Sequence, residues 1–251
     1  MLRRERDDLI VRALRAKGSA SARELALRLG VSSATIRRDL HRLDSNGEIR
    51  RVYGGAILDE AAIERPFDVW NDQSADEKER MAACAATLVR DGDVLLLDIG
   101  TTTMRLAGRL RGRPVTVITS NLAVFDVLRD DPAVQLVLLG GMVRRNYKSL
   151  VGSLTEDALR QVSVDRLFLS CAGVRNEGNV VDNMMVEVPS KRAMVAAAQN
   201  VVLLAHGSKF PGSGSLRICN LADVDVVVTT PDADDETLNV CRQAGGKVLT
   251  A

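Results

Sequence analysis

Two groups of polar residues have types and spacings suited to chemistry, and in both the chemistry is recognition of anions. The first is cationic and hydroxylic: Ser32, Ser33, Thr35, Arg37, Arg38, His41 and Arg42 lie close together, and Arg50, Arg51, Tyr53 and Gly54 follow shortly after. Guanidinium, hydroxyl and imidazole groups in such a run suit base-pair edges and backbone phosphates. The second group begins with Asp98-Ile-Gly-Thr-Thr-Thr103. It continues through Ser120 and Asn121, Gly140 and Gly141 with Arg144, Tyr147 and Lys148 soon after, then Asp182, Glu187, Lys191 and Lys209. A glycine turn (Gly100) followed by three hydroxyls at the start of a helix offers free amides and the positive end of a dipole, which suits a phosphate. The same pattern also fits Thr101, Thr102 and Thr103 acting only as caps. Lysines as point charges, with Asp or Glu accepting sugar hydroxyls, together suit a polyhydroxylated phosphate.

The first group needs a compact helical frame. Leu9, Ile10, Ala13 and Leu14 recur at helical spacing within a helix expected from Arg3 to Ala16, closed by Lys17-Gly18. Ser21-Ala-Arg-Glu24 reads as a capping box opening a second, short helix that ends at Gly30. After a three-residue turn, Ser32 or Ser33 caps a third helix running to about Asn46-Gly47. Ile36, Leu40 and Leu43 share one stripe of it, which leaves Ala34, Arg38, His41 and Ser45 pointing away, flanked by Thr35, Arg37 and Arg42. An ordinary solvated helix face would also be charged, but it would not explain the short preceding helix and tight turn of a helix-turn-helix. Glu48 to Ile57 alternates and turns at Gly54-Gly55, which predicts a β-hairpin wing whose Arg50 and Arg51 reach phosphates.

The second group needs a sheet. Apolar runs at Val94–Leu97, Val115–Ile118, Val134–Leu139, Leu167–Leu169, Val201–Leu204, Val224–Val228 and Lys247–Leu249 alternate with helical segments. That alternation predicts a doubly wound, mostly parallel α/β domain, with ligands bound beyond the carboxyl ends of the strands. The expected organisation is residues 1–58 as a winged helix-turn-helix domain, 59–74 as a linker and 75–251 as the α/β domain. Phe67 and Trp70 in the linker are read either as anchors onto a neighbouring domain or subunit, or as local packing.

Charge agrees with this division. Residues 1–58 hold 13 Lys/Arg against 7 Asp/Glu, net +6, while the remainder holds 21 against 26, net −5. A polyanion such as DNA favours the basic end. The first twenty residues are charged and no apolar run of about 18 residues occurs, so neither signal peptide nor membrane span is expected and the chain is assigned to the cytoplasm. Cys84, Cys171, Cys219 and Cys241 are widely spaced, which predicts reduced thiols with no metal site; no cofactor is expected.

Glu24-Leu-Ala, Val31-Ser-Ser-Ala-Thr-Ile-Arg-Arg-Asp-Leu40 and Arg51-Val-Tyr-Gly-Gly-Ala resemble the N-terminal signature of the DeoR family of bacterial regulators. Asp98-x-Gly-Thr-Thr, Gly140-Gly141, Ser149-Leu-Val-Gly152, Gly173, Glu187 with Lys191-Arg-Ala-Met194, and Ser208-Lys209 resemble that family's sensor domain, which is similar in fold to ribose-5-phosphate isomerase. The resemblance implies a homo-oligomeric repressor on operator DNA, released by a phosphorylated sugar. It also implies that Thr101 to Thr103, Gly152, Lys191 and Lys209 contact that effector. The other possibility is a sugar-phosphate isomerase or hydrolase using Asp98, Asp182 or Glu187 as its acid/base. One departure stands out: His206-Gly207 lies where the family usually has an acidic residue before Ser-Lys. Either the effector differs, or another group such as Asp182 accepts the sugar hydroxyl. His206 itself is expected to titrate near neutrality.

Overall fold

The computed structural model describes residues 6–7, 9–11, 13–14, 19–45, 49–57 and 66–251, and the chain divides into two compact units, Met1–Arg65 and Pro66–Ala251. In the first unit the described residues of 6–14 are helical (α1) and bury Ile10, Ala13 and Leu14. The expected ends of this helix, like Asn46-Gly47, Leu58 and residues 59–65 of the linker, lie outside the described residues. The short strand β1 (Ser19–Ser21) leads into α2 (Ala22–Leu29) through the expected capping box. Ser21 Oγ accepts from the Glu24 amide at 3.1 Å, and Glu24 Oε2 accepts from the Ser21 amide at 2.8 Å. Gly30 ends α2 in the left-handed region at φ 65°, and Ser32 caps α3 (Ser33–Ser45) by accepting from the Thr35 amide at 3.1 Å. Strands β2 (Arg50–Val52) and β3 (Gly55–Ile57) form the hairpin. The strand order β1-β3-β2 adds a third strand that the sequence pattern did not announce.

Leu25, Ile36, Leu40, Leu43, Ile49 and Ala56 join the α1 residues in one apolar core. Against it sits a buried carboxylate. Asp39 accepts from Arg6 Nε at 2.6 Å and from Arg42 Nη2 at 3.0 Å, and Arg42 also forks onto Asp7 at 2.7 and 2.8 Å. Burial works against the Asp39 charge, yet its bonds to Arg6 and Arg42 hold the carboxyl below its usual range.

The second unit opens with α4 (Phe67–Asp72) and α5 (Ala75–Ala86). Then come β4 (Val94–Leu97), α6 (Thr101–Leu110), β5 (Thr116–Thr119), α7 (Leu122–Leu128) and β6 (Gln135–Leu138). A hairpin of β7 (Met142–Arg144) and β8 (Ser149–Val151) precedes α8 (Ser153–Leu159) and β9 (Val164–Leu169). Next are β10 (Gly173–Val174), β11 (Asn179–Asp182), α9 (Val188–Ala197) and β12 (Ala198–Leu204). The chain finishes with β13 (Leu216–Asn220), β14 (Val226–Thr229), α10 (Asp235–Gln243) and β15 (Lys247–Thr250). Seven strands pair in parallel in the order β15-β14-β12-β9-β4-β5-β6. Side chains alternate across this sheet. Leu95, Leu97 and Phe168 pack with α5, α6 and α7 on one face, whereas Leu96, Leu167 and Leu169 pack with α8, α9 and α10 on the other. Because β4 and β9 are neighbours but lead to opposite halves of the sheet, the switch point of the winding lies between them.

Two expectations change. Part of the supposed linker is the helix α4, held by buried Phe67, whose amide donates to Asn146 O at 2.8 Å and whose ring meets Tyr147 edge-on at 5.8 Å. The sheet expected as one body also carries a hairpin (β7-β8) and a small antiparallel sheet (β10-β11-β13). No described helix is long and apolar enough to cross a membrane.

Replacing Asp39 with Ala removes the shared acceptor of Arg6 and Arg42. It should cost about 3 kcal/mol, the scale of a buried pair losing one partner. Urea unfolding followed by helical circular dichroism checks this, and a loss below about 0.5 kcal/mol, the scale of an exposed pair, would show that the brace is only a surface contact.

Candidate functional site

In the winged unit, α3 is divided along its length. Ile36, Leu40 and Leu43 are at most 2% exposed, while Ala34, Arg37, Arg38 and His41 face outward. The register expected for the outward face is therefore present at these positions. Ser32 and Thr35 bond each other, with their hydroxyls 2.9 Å apart, and set the start of the helix. Ser33 is half-buried at the first helical position. Arg42 departs from the expectation: its guanidinium is engaged by Asp7 and Asp39, so it braces α3 against α1. On the wing, Arg51 and Tyr53 are exposed, and Gly54 turns the tip at φ 81°. The Arg50 backbone belongs to β2; its side chain lies outside the described residues.

In the α/β unit the expected residues gather at the carboxyl ends of the strands. Asp98 follows β4 and Ser170 follows β9, so the switch point brings them together. Asp98 Oδ2 accepts from Ser170 Oγ at 2.5 Å, from the Ser170 amide at 2.9 Å and from Lys191 Nζ at 2.6 Å. Lys191, on α9, also donates to Ser170 O at 2.9 Å and lies 3.6 Å from Asp182 Oδ2. Asp98 is wholly buried and Lys191 is 2% exposed. Burial opposes the ammonium, but Asp98 and Asp182 more than offset it and raise the Lys191 pKa. Asp98 Oδ1 is buried and receives no hydrogen bond from the described residues, which leaves an acceptor suited to a ligand hydroxyl. Ser170 can approach this closely because position 100 is glycine: a Cβ there would lie 2.7 Å from Ser170 Cβ.

Several residues of the expected set turn out to hold the loops. Thr103 Oγ1 donates to the Asp98 and Gly100 carbonyls, both at 2.6 Å. Asn121 Oδ1 caps α7 by accepting from the Ala123 amide at 2.9 Å, while its Nδ2 reaches the same two carbonyls at 3.3 Å. Gly140 O accepts from Thr155 Oγ1 at 2.6 Å, Gly141 packs beside Thr155, and Gly152 is the N-cap of α8. Glu187 is buried against Arg144. Lys148 pairs with Asp68 at 2.6 Å. Thr101 and Thr102 are buried at the start of α6, whose N-cap Gly100 provides no side-chain cap, and Ser120 Oγ is buried without a partner among the described residues.

Sequence reasoning missed Lys78. It is 5% exposed, donates to Trp70 O, and is brought down to about 8 by burial and then by the charges of Lys209 and Arg105. The available signal was its spacing: Lys78 shares the buried stripe of α5 with Met81, Ala82 and Ala85. Lys209 lies 5.4 Å from the centre of the Trp70 ring, so Trp70 packs locally.

The expectation for His206 is corrected. Burial first, then Lys209 and Lys78, push it down to about 4, so it is neutral near pH 7, with Ser208 Oγ 2.9 Å from its Nδ1. The acid absent from this loop has a neighbour on another: Asp232, fixed by Thr230 Oγ1 at 2.5 Å, fills the space that any side chain at Gly207 would need. Burial also pushes the Cys171 thiol up to about 11, so it stays protonated beside Ser170.

A family model described as a DeoR-like helix-turn-helix domain matches residues 6–62, and one described as the DeoR C terminal sensor domain matches residues 73–230. The HTH-type transcriptional regulator GolR of Listeria innocua is 32% identical over 251 residues, which is 98% of this chain and 98% of that protein. The glycerol-3-phosphate regulon repressor of Escherichia coli K12 is 31% identical over 91% of each chain. Among solved structures, ribose 5-phosphate isomerase A of Methanocaldococcus jannaschii aligns with a TM-score of 0.41 and 19% identity, over 55% of both chains.

Because the folded His206 sits near 4 and an unfolded one near 6.5, the unfolded chain binds more protons between those values. His206 therefore costs no stability above pH 6.5 and progressively more as the pH falls towards 4, on the order of 2–3 kcal/mol. Replacing His206 with Asn should flatten that part of the acid limb in thermal melts. A His206→Asn limb that overlays the wild type would show that the ring takes up its proton in the native protein as it does in the unfolded chain.

Proposed function

The chain belongs to the DeoR family of transcriptional regulators, and we propose that it represses carbohydrate-metabolism genes and leaves its operator when a phosphorylated sugar or related intermediate binds the α/β unit. One observation carries the DNA-binding half: α3 buries Ile36, Leu40 and Leu43 while Ala34, Arg37, Arg38 and His41 stay exposed. On duplex DNA this face enters the major groove, and Arg51, Tyr53 and Gly54 of the wing, with Arg50 beside them in sequence, follow the phosphate backbone. Arg42 then serves the recognition helix by holding it.

In the sensing half, the effector phosphate sits at the uncapped start of α6, against Thr101 and Thr102, with Lys209 as counter-charge. The sugar hydroxyls meet the unpaired Asp98 Oδ1, Lys191 and Asp182. Thr103, Ser120, Asn121, Gly140, Gly141, Lys148, Gly152 and Glu187 shape the surrounding loops. Two or more copies place winged units on repeated half-sites, since one α3 reads only part of an operator. The isomerase or hydrolase alternative needs a poised carboxylate, whereas Asp98 and Asp182 face Lys191 and Glu187 faces Arg144. That pattern favours holding a ligand over moving a proton. For effector to loosen DNA tenfold, it must prefer the DNA-free state by about 1.4 kcal/mol.

Arg38→Ala should weaken binding to a duplex selected in vitro by at least about tenfold, consistent with a lost base or phosphate contact of about 1–3 kcal/mol. Fluorescence anisotropy across a salt series reads this. Unchanged affinity and salt slope would move the working face of α3 elsewhere, and affinity that no sugar phosphate alters would remove the effector switch.

A further inference from the structure

Helix α4 is held in place by cations from four different parts of the α/β unit. Lys78 on α5 donates to Trp70 O, and Arg105 on α6 donates to Asn71 O at 2.8 Å. Lys209, beyond β12, lies over the Trp70 ring, and Lys148, beside β8, pairs with Asp68 at 2.6 Å and lies 5.5 Å from the centre of the Phe67 ring. The last carbonyls of a helix carry partial negative charge, which is what these donors meet. Lys78 and Arg105 are poorly compensated there. Arg105 Nε is buried without a partner among the described residues, and the carboxylate nearest to Arg105, that of Glu79, stands 3.7 Å from Nη1. Burial first, and then the charges of Lys209 and Arg105, bring Lys78 down to about 8.

We propose that the carboxyl end of α4 is a built-in stand-in for the anionic group of the effector, held by Lys78, Arg105 and Lys209, and that a bound anion takes over these cations and releases α4. The proposal rests on the sensing role given above. A cation bonded to a full anionic charge gains the attraction between two whole charges besides the hydrogen bond, whereas a carbonyl offers only a partial charge, so a phosphate outcompetes Trp70 O and Asn71 O. Arg105 lies one turn along α6 from Thr101, and Lys209 is the counter-charge already assigned to the phosphate. Release is made easier by two residues held at φ 52°, a conformation unfavourable for any side chain: Ser74 joins α4 to α5, and Lys148 is the clasp itself.

Trp70 is the only tryptophan in the chain, so its fluorescence reports on α4 alone. The test is to titrate the full-length protein with inorganic phosphate, glycerol 3-phosphate, glucose 6-phosphate and ribose 5-phosphate, following thermal stability, Trp70 emission and acrylamide quenching. A compound that raises the melting temperature should also shift Trp70 emission and increase quenching, with one common midpoint. Asp68→Asn, which loosens α4 without touching the three cations, should tighten that compound roughly two- to fivefold, the scale of an exposed ion pair. A stabilising compound that leaves Trp70 unchanged overturns the exchange and leaves the sensing role standing. Stabilisation by none of the compounds overturns both.

Discussion

A lysine and an aspartate cannot each be buried alone without a cost of several kcal/mol per charge, so the Lys191–Asp98 pair dictates much of what surrounds it. Asp98 stands at the end of β4 and Ser170 at the end of β9, and the pair is satisfied only if those strands are neighbours. The parallel sheet must therefore reverse its winding there. Gly100 must stay small so that Ser170 can close on the carboxylate, and α9 must bring Lys191 across from the other side of the fork. The polar cluster is thus made by the same contacts that join the two halves of the sheet. Under the proposed sensing role, a ligand bound there acts on the junction of the domain.

The winged unit follows the same rule with fewer residues. A domain of this size buries little apolar surface, and the Asp39 brace to Arg6 and Arg42 ties α3 to α1 where the apolar core ends. Two neighbouring arginines of α3, Arg37 and Arg38, remain exposed for a partner, whereas Arg42, one turn further on, is held internally.

What could be read from the sequence divides along physical lines. The inner strands of the central sheet were legible because both of their faces are largely buried, so they appear as unbroken apolar runs, while the edge strands β6 and β15 are more exposed. The face of α3 was legible because Ile36, Leu40 and Leu43 repeat at the helical period. Strands β10, β11 and β13 left no such mark, since β10 has only two residues, polar ends flank Val180-Val181 in β11, and β13 is more than thirty residues from its partner β11. Helix α4 is six residues long, and its aromatic rings find their partners at Tyr147, Lys148 and Lys209, so no local period announces it. Lys78 was hidden among Asp76, Glu77, Glu79 and Arg80, where one buried charge looks like another solvated one. The bonds that Thr103, Asn121 and Arg42 make within the fold were hidden for a common reason: residue type shows that a group can bond, but only the folded chain shows with whom.

Gly207 carries a consequence for how this site changes over generations. Its missing side chain is the space that the Asp232 carboxylate fills, so the two positions are not independent. A side chain at 207 would meet the Asp232 carboxylate, the exposed end of a side chain, and would have to turn it aside and off its bond from Thr230 Oγ1. The negative charge beside the loop after β12 comes from the loop after β14, so the cost of a residue at 207 is set in part by the residue at 232. A side chain at 207 is therefore accommodated most easily where residue 232 is smaller.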